Sequence, residues 1–352
     1  MSEAVATDFP VNSMAPAKGV GLVRAWLLVI AVMVYLMILV GGATRLTDSG
    51  LSITEWQPLL GAIPPMSDTD WQDAFNKYQT TTAQAQVMNA GMDLSGFMGI
   101  YWWEWSHRQL GRTIGVVFAI PFLFFWFTGR TTRKLMPHLL ALFALGGLQG
   151  AIGWWMVASG VNSDLTSVAP YRLMTHFCLA LLIIAYSFWL WLELGGARRE
   201  APVQAKPWTN AIIWIVGIQM ALGALVAGLD AGRGYTDWPL MSGEVIPSTM
   251  WMLDPFWRNL FENEATTQFL HRLTAYGLLG VAGWCAWTYR ATHWSLFPLF
   301  GGLVVAQAAL GIATLMHAAP LDMSLTHQAL GVIVLLAATR LAWTSSGSKV
   351  AV

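Results

Sequence analysis

Eight apolar runs recur along the chain, at about residues 22–42, 105–127, 137–157, 171–194, 208–229, 267–288, 295–316 and 324–343. Each is close to the roughly 20 residues that a helix needs to cross a bilayer. The runs are continuous rather than alternating. A backbone facing lipid must satisfy its own hydrogen bonds, so helices are predicted. The composition agrees: 56% of the 352 residues are hydrophobic and only 11% are charged, too apolar for an ordinary soluble domain. Many of the 20 Trp lie near run ends, where an interfacial belt would place them. The expected class is an all-α integral membrane protein. Its partner is the lipid bilayer, and no nucleic acid is expected; the formal net charge of zero says little.

The connections between runs alternate in charge. Arg130, Arg133 and Lys134, then Arg198, Arg199 and Lys206, then Arg290 make every second connection basic. The others carry Asp68, Asp70, Asp73 and Asp93, then Asp230, Asp237, Glu244 and Asp254. Short basic loops stay inside, so both termini are predicted to be cytoplasmic. Residues 1–20 form a polar leader in which Glu3, Asp8 and the lack of Arg argue against a mitochondrial transit peptide. A bacterial inner membrane is the expected location.

The chain also repeats itself. Glu104-Trp105-Ser106-His107-Arg108 opens one run and Gln268-Phe269-Leu270-His271-Arg272 opens another. Thr175-His176 and Thr326-His327 stand near the starts of two more. Gln149-Gly150-Ala151-Ile152-Gly153 matches Gln307-Ala308-Ala309-Leu310-Gly311, and Thr54-Glu55-Trp56 with Pro58 matches Thr236-Asp237-Trp238-Pro239. Four runs are thus duplicated. An even number of helices per copy makes the copies parallel. The expected architecture is eight transmembrane helices in two parallel, pseudo-symmetric four-helix bundles, 21–194 and 208–343. A linker (195–207) joins them and a tail (344–352) follows. The outer segment 43–103 is long for a connection. Gly41 and Gly42 are expected to end the first helix, Asp70–Asn89 reads as an amphipathic surface helix, and the aromatic content favours a folded lid.

Four histidines at matching places on the outer side predict two ligand pairs, His107 with His176 and His271 with His327. Two imidazoles facing across a bundle are a natural axial pair for haem iron. The bland alternative is a helix-end histidine bonded to a carbonyl. Glu104 shares a helical face with His107. Its counterpart is Gln268, so only the first half carries a proton acceptor there. Arg108 and Arg272 are candidates for anionic side groups of a bound macrocycle, or for interfacial anchoring. Gly111 and Gly115 share the His107 face. His138 and His293 are expected in solvated inner loops, and His317 matches Ser159 and stands outside the duplicated set. Cys178 and Cys285 lie inside runs, which leaves no cysteine pair for the outer loops.

At these residues the chain resembles the haem A synthase family. The elements are Gly41-Gly42-Ala43-Thr44-Arg45-Leu46-Thr47, Glu104-x-x-His107-Arg108, Thr175-His176, His271-Arg272 and Thr326-His327. The resemblance covers all eight runs and is specific only in combination. It implies an oxidoreductase that converts a methyl group of haem O to a formyl group through a hydroxymethyl stage. It implies haem b between His271 and His327, substrate haem at His107 and His176, and an essential Glu104. The implied partners are haem O, an electron-transfer protein, haem O synthase and oxidase assembly factors. The chain is similar to the subgroup lacking a cysteine pair in the first outer loop. The residues alone leave open a quinol-oxidising b-type cytochrome and a haem transporter or chaperone.

Overall fold

Glycine does not end the first helix. In the computed structural model, which describes residues 19–195, 203–291 and 296–346, α1 (Val20–Leu46) runs through Gly41 and Gly42 for another turn. A glycine inside a helix costs about 1 kcal/mol relative to alanine. Two close approaches explain why the sequence carries that cost. A Cβ on Gly41 would meet the His107 ring, and one on Gly42 would strike the side chain of Gln328 from the last helix.

The other long helices are α2 (Asp68–Thr81), α3 (Leu94–Phe127), α4 (Met136–Val157), α5 (Pro170–Glu193), α6 (Lys206–Gly228), α7 (Glu264–Thr288), α8 (Leu296–Met316) and α9 (Leu321–Ser345). Their starts follow local chemistry. The Asp93 side chain caps α3 by accepting from Gly96 N–H at 2.8 Å, and Asn263 caps α7 through Thr266 N–H at 3.0 Å. Proline occupies the first turn of α4, α5 and α6, where a missing N–H is harmless.

Seven of these helices, α1, α3–α6, α8 and α9, are long and apolar enough to cross a membrane. The run expected at 267–288 does form a helix, the 25-residue α7. With Glu264, Gln268, His271 and Arg272 in its first turns it is less apolar than the other seven. Among the described residues the chain is therefore all-helical with seven candidate spans, where the sequence predicts eight. The leader up to residue 18, Arg198, Arg199, His293 and the tail from 347 lie outside the described residues.

Helix α1 packs on α3 and α5, and α4 packs on the same two; α6 packs on α7 and α9, and α8 packs on the same two. Contacts of α5 with α6 and α9, and of α1 with α9, join the two sets. On α1 the buried positions Val23, Leu27, Ile30, Val34 and Ile38 keep helical spacing and face Phe118, Phe122, Ile184 and Val332 in one core. The faces away from this core carry exposed Leu22, Val29, Val32, Ile120, Leu123 and Trp214, as a lipid-facing surface does. His138 is a correction. It lies in α4, not a loop, and its Nδ1 is 2.6 Å from the Tyr186 hydroxyl of α5, so the ring is partnered rather than solvated.

The two longest connections lie at one end of the helices. The first of these is a folded layer. Ser67 and Asp70 form a capping box that starts α2. Trp71, Phe75 and Tyr78 of α2 then pack on Phe97 and Tyr101, in the turns by which α3 begins earlier than the apolar run at 105. The expected surface helix is thus α2 followed by one wide turn, Gln84–Met88. The matching connection after α6 is shorter, built from single turns around Asn259, whose side chain bonds Leu253 at both N–H and carbonyl.

Candidate functional site

The four histidines all lie at the long-loop end of their helices, and each ring meets a glycine on a neighbouring helix. A Cβ on Gly41 (α1) would come within 2.7 Å of His107 Cε1, and one on Gly153 (α4) within 2.9 Å of His176 Cε1. In the other half, Gly223 (α6) stands the same way to His271 at 3.1 Å and Gly311 (α8) to His327 at 2.7 Å. Any larger residue would fill the space of the ring.

All four rings line one cavity of about 1120 Å³ that also takes in Glu104, Arg108, Gln268 and Arg272. That exceeds the roughly 300–1,000 Å³ of an ordinary small-molecule pocket. Nδ1 of His107, His176 and His327 is buried and has no hydrogen-bond partner. Among the described residues no three His, Cys, Asp or Glu side chains are placed to hold a bare metal ion. Two imidazoles at a time suit a metal that brings its own equatorial ligands, as iron in a porphyrin does.

The polar residues three before and one after the paired His107 and His271 attach the loops to the helices. Glu104 is 2% exposed. Its Oε2 accepts from Ser52 Oγ at 2.8 Å and from Ile53 N–H at 2.7 Å, and its Oε1 pairs with Arg108 at 2.5 Å. Arg108 also donates to the carbonyls of Ile53 (2.6 Å) and Glu55 (2.9 Å). In the second half Gln268 Nε2 donates to the carbonyls of Ala231 (3.1 Å) and Tyr235 (2.9 Å). Arg272 donates to Gln268 Oε1 and to the carbonyls of Asp237 and Leu240. Glu104 therefore bonds its loop and Arg108 rather than His107. Both arginines have backbone partners as well as a place on the cavity wall.

Several participants escape sequence reasoning. The ring-cradling glycines stand on helices other than those of the histidines, whereas Gly111 and Gly115 only line the cavity, Gly111 beside Met37. Gln149 Nε2 donates to the His176 carbonyl at 3.0 Å, and Gln307 Nε2 to that of His327 at 2.9 Å. Gln219 Nε2 lies 3.1–3.2 Å from both ring nitrogens of His271, and its carbonyl is 3.2 Å from His271 Nδ1. Each glutamine stands four residues before its glycine. The repeat of Gln149 with Gly153 in Gln307 with Gly311 is visible in the sequence, but not what it grips. Arg45, at the end of α1, pairs with Asp48 (2.8 Å) and reaches Asp230 (2.6 Å) beyond α6, a tie between the two sets of helices.

Residues 24–339 match the protein family COX15-CtaA, described as cytochrome oxidase assembly protein. A relative from Hyphomonas neptunium named Heme A synthase is 54% identical, over 94% of each chain. One of the same name from a Chelativorans species is 49% identical over 95% of this chain and 94% of its own. Another, from Maricaulis maris, is 48% identical over 92% of this chain and 96% of its own.

Proposed function

The chain belongs to the COX15-CtaA family of cytochrome oxidase assembly proteins, and on that premise we propose that it is a haem A synthase, with haem O as substrate. Relatives of that name match it along almost the whole chain. The observation that carries the site assignment is the pair of glycine-cradled histidine sites around one cavity, only one of which has a carboxylate beside it. The fit to a porphyrin is supported by the buried, partnerless ring nitrogens and by cradles that a single methyl group would close.

His271 and His327 would hold a resident haem b, with Arg272 beside them. His107 and His176 would take the iron of the substrate haem, with Arg108 beside them. Bound haem b supplies one-electron redox chemistry there. The chain's own residues do the rest. Oxidising a methyl carbon to a hydroxymethyl and then a formyl group removes C–H hydrogens at each stage, so a group that takes up protons or orients water has to stand at the first site. Glu104 is the side chain able to do so, and Gln268 is not. The Ser52 and Ile53 donors and Arg108 hold its carboxylate at the cavity wall. The folded layer over α3 covers this end against bulk water.

In this reading α7 is an eighth span, its polar first turns facing the cavity rather than lipid. The two sets of four helices are then parallel pseudo-symmetric bundles. The basic short connections lie in the cytoplasm with both termini, and the haem sites lie toward the periplasmic side of a bacterial inner membrane. An electron-transfer partner is required, and haem O synthase and oxidase assembly factors are natural neighbours. Incubating the purified protein with haem O, aerobically and anaerobically, and reading the products by mass tests the activity. Hydroxylated and formyl haems are expected. Unchanged haem O under every condition that reduces and reoxidises the protein would refute it.

A further inference from the structure

The two sets of four helices differ in what lies between their second and third members. Helices α7 and α8 pack along their length, whereas α3 and α4 touch at few places. The residues explain the difference. Gly115 of α3 and Gly146 and Gly150 of α4 line the cavity, and a Cβ on any of them would meet no neighbouring side chain or helix within 4 Å. Their matches in the second half are Leu279, Val304 and Ala308, whose side chains occupy the corresponding space. The cavity also reaches deeper in the first half. On α5 its wall runs from His176 through Ala180 and Ile183 to Ser187, about three turns further along the helix. On α9 it ends at Val334, a turn short of Ala338, the match of Ser187. Ser187 is fully buried, and its hydroxyl has no hydrogen-bond partner among the described residues.

We propose that this glycine-lined slot between α3 and α4 is the subsite for the long isoprenoid chain of haem O. The inference rests on the haem O reading above. Haem O carries that chain where haem b has a vinyl group, so a site for haem O needs an apolar channel that a site for haem b does not. The slot opens from the cavity that holds His107 and His176, and Ile114, Phe118, Leu142 and Phe143 line it along with the glycines. A chain lying there meets apolar side chains and helix backbone, and each carbon taken out of water favours binding. In the second half Leu279 and Val304 narrow the same path, which suits a macrocycle with short substituents. The choice between the two haems is thus made by side-chain volume, since both sites offer iron the same pair of imidazoles.

The test titrates the full-length detergent-solubilised protein, its second site already loaded with haem b, with ferric haem O or ferric haem b and follows binding to the first site by absorbance. The unaltered protein is expected to bind haem O about tenfold more tightly than haem b. Gly115→Leu combined with Gly146→Val carries the second half's residues into the slot. It should weaken haem O binding by about tenfold and leave haem b binding at the first site unchanged. His107→Ala is the control, expected to weaken both. If the filled variant keeps full affinity for haem O while His107→Ala loses it, the slot holds lipid and the subsite is refuted. Equal losses for the two haems, or equal affinities before substitution, refute it as well. If His107→Ala binds haem O as tightly as the unaltered protein, the ligand reading itself fails and takes the subsite with it. Should the double variant not insert, Gly150→Ala, which copies Ala308, decides alone: a loss confined to haem O is expected, and unchanged affinity overturns the proposal.

Discussion

Glu104 and Gln268 occupy the same place on α3 and α7, each three residues before a histidine and four before an arginine, yet their loops meet them with opposite groups. At the first site Ile53 offers its N–H and Ser52 its hydroxyl, and Glu104 accepts both. At the second, Tyr235, the residue matching Ile53, offers its carbonyl, as does Ala231, and Gln268 donates to both. The arginines do not share in this inversion: Arg108 reaches the carbonyl of Glu55 and Arg272 that of the matching Asp237. The duplication has therefore kept the tie from helix to loop and changed its hydrogen-bonding polarity at one point. Acid and amide are each matched to a backbone, so the difference between the sites is not carried by one side chain.

Breaking the match at the first site should have the largest effect. Glu104→Gln keeps size but puts an amide against three donors, and removes the proton acceptor. Haem A formation is expected to fall by on the order of 100-fold or more, read as haem O, hydroxylated and formyl products by mass, with the second haem retained. Near wild-type formation of haem A would remove Glu104 from the chemistry.

The reverse exchange sharpens the comparison. Gln268→Glu sets a buried carboxylate against the Ala231 and Tyr235 carbonyls, with Arg272 as its one compensating partner. A cost of about 3 kcal/mol is expected for a poorly compensated buried charge, seen as lower thermal stability of the second half. It should confer no second catalytic site. If it is tolerated without loss, the loop backbone does not enforce the choice.

The glycine cradles test how alike the halves are in packing. Gly41→Ala brings a methyl group within 2.7 Å of the His107 ring, and Gly223→Ala brings one within 3.1 Å of His271. Overpacking of this kind costs about 1–3 kcal/mol. Both variants should weaken haem binding in their own half, Gly41→Ala more severely; equal effects would mean that the rings yield equally.

The smallest effect concerns the second loop alone. Asp237 accepts from the N–H groups of Gly243 and Ser242, which hold its carboxyl below the usual carboxylate range. A lowered carboxyl stabilises the fold above its unfolded value, and that contribution is lost as pH falls through the folded one. Hydrogen exchange in residues 235–245 should therefore quicken in acid, and Asp237→Asn should remove that dependence.

Much of this was legible in the residues because polar groups are scarce in apolar runs and their repetition is conspicuous. The four histidines, the Glu104 and Gln268 difference and the paired Thr-acid-Trp segments all stand out in that way. Local rules misled where tertiary contacts override them. Gly41 and Gly42 look like helix breakers, but their missing side chains make room for His107 and Gln328. His138 looks solvated because Tyr186, its partner, is 48 positions away. The donors to Glu104 include a main-chain N–H, which no sequence pattern marks. Helix α7 is polar enough in its first turns to fall below the apolarity of a span.

Gln328 follows His327 on the last helix, packs over Gly42 of the first and donates to the Ile38 carbonyl at 3.0 Å. This has a consequence for biogenesis. Helix α1 leaves the ribosome well before α9, so the seam beside the His107 cradle closes only once α9 has followed. A chain arrested before residue 328 would insert most of its helices and still expose that face of α1 to the surrounding membrane. The cradle of His107, though encoded early, is completed by a residue from α9.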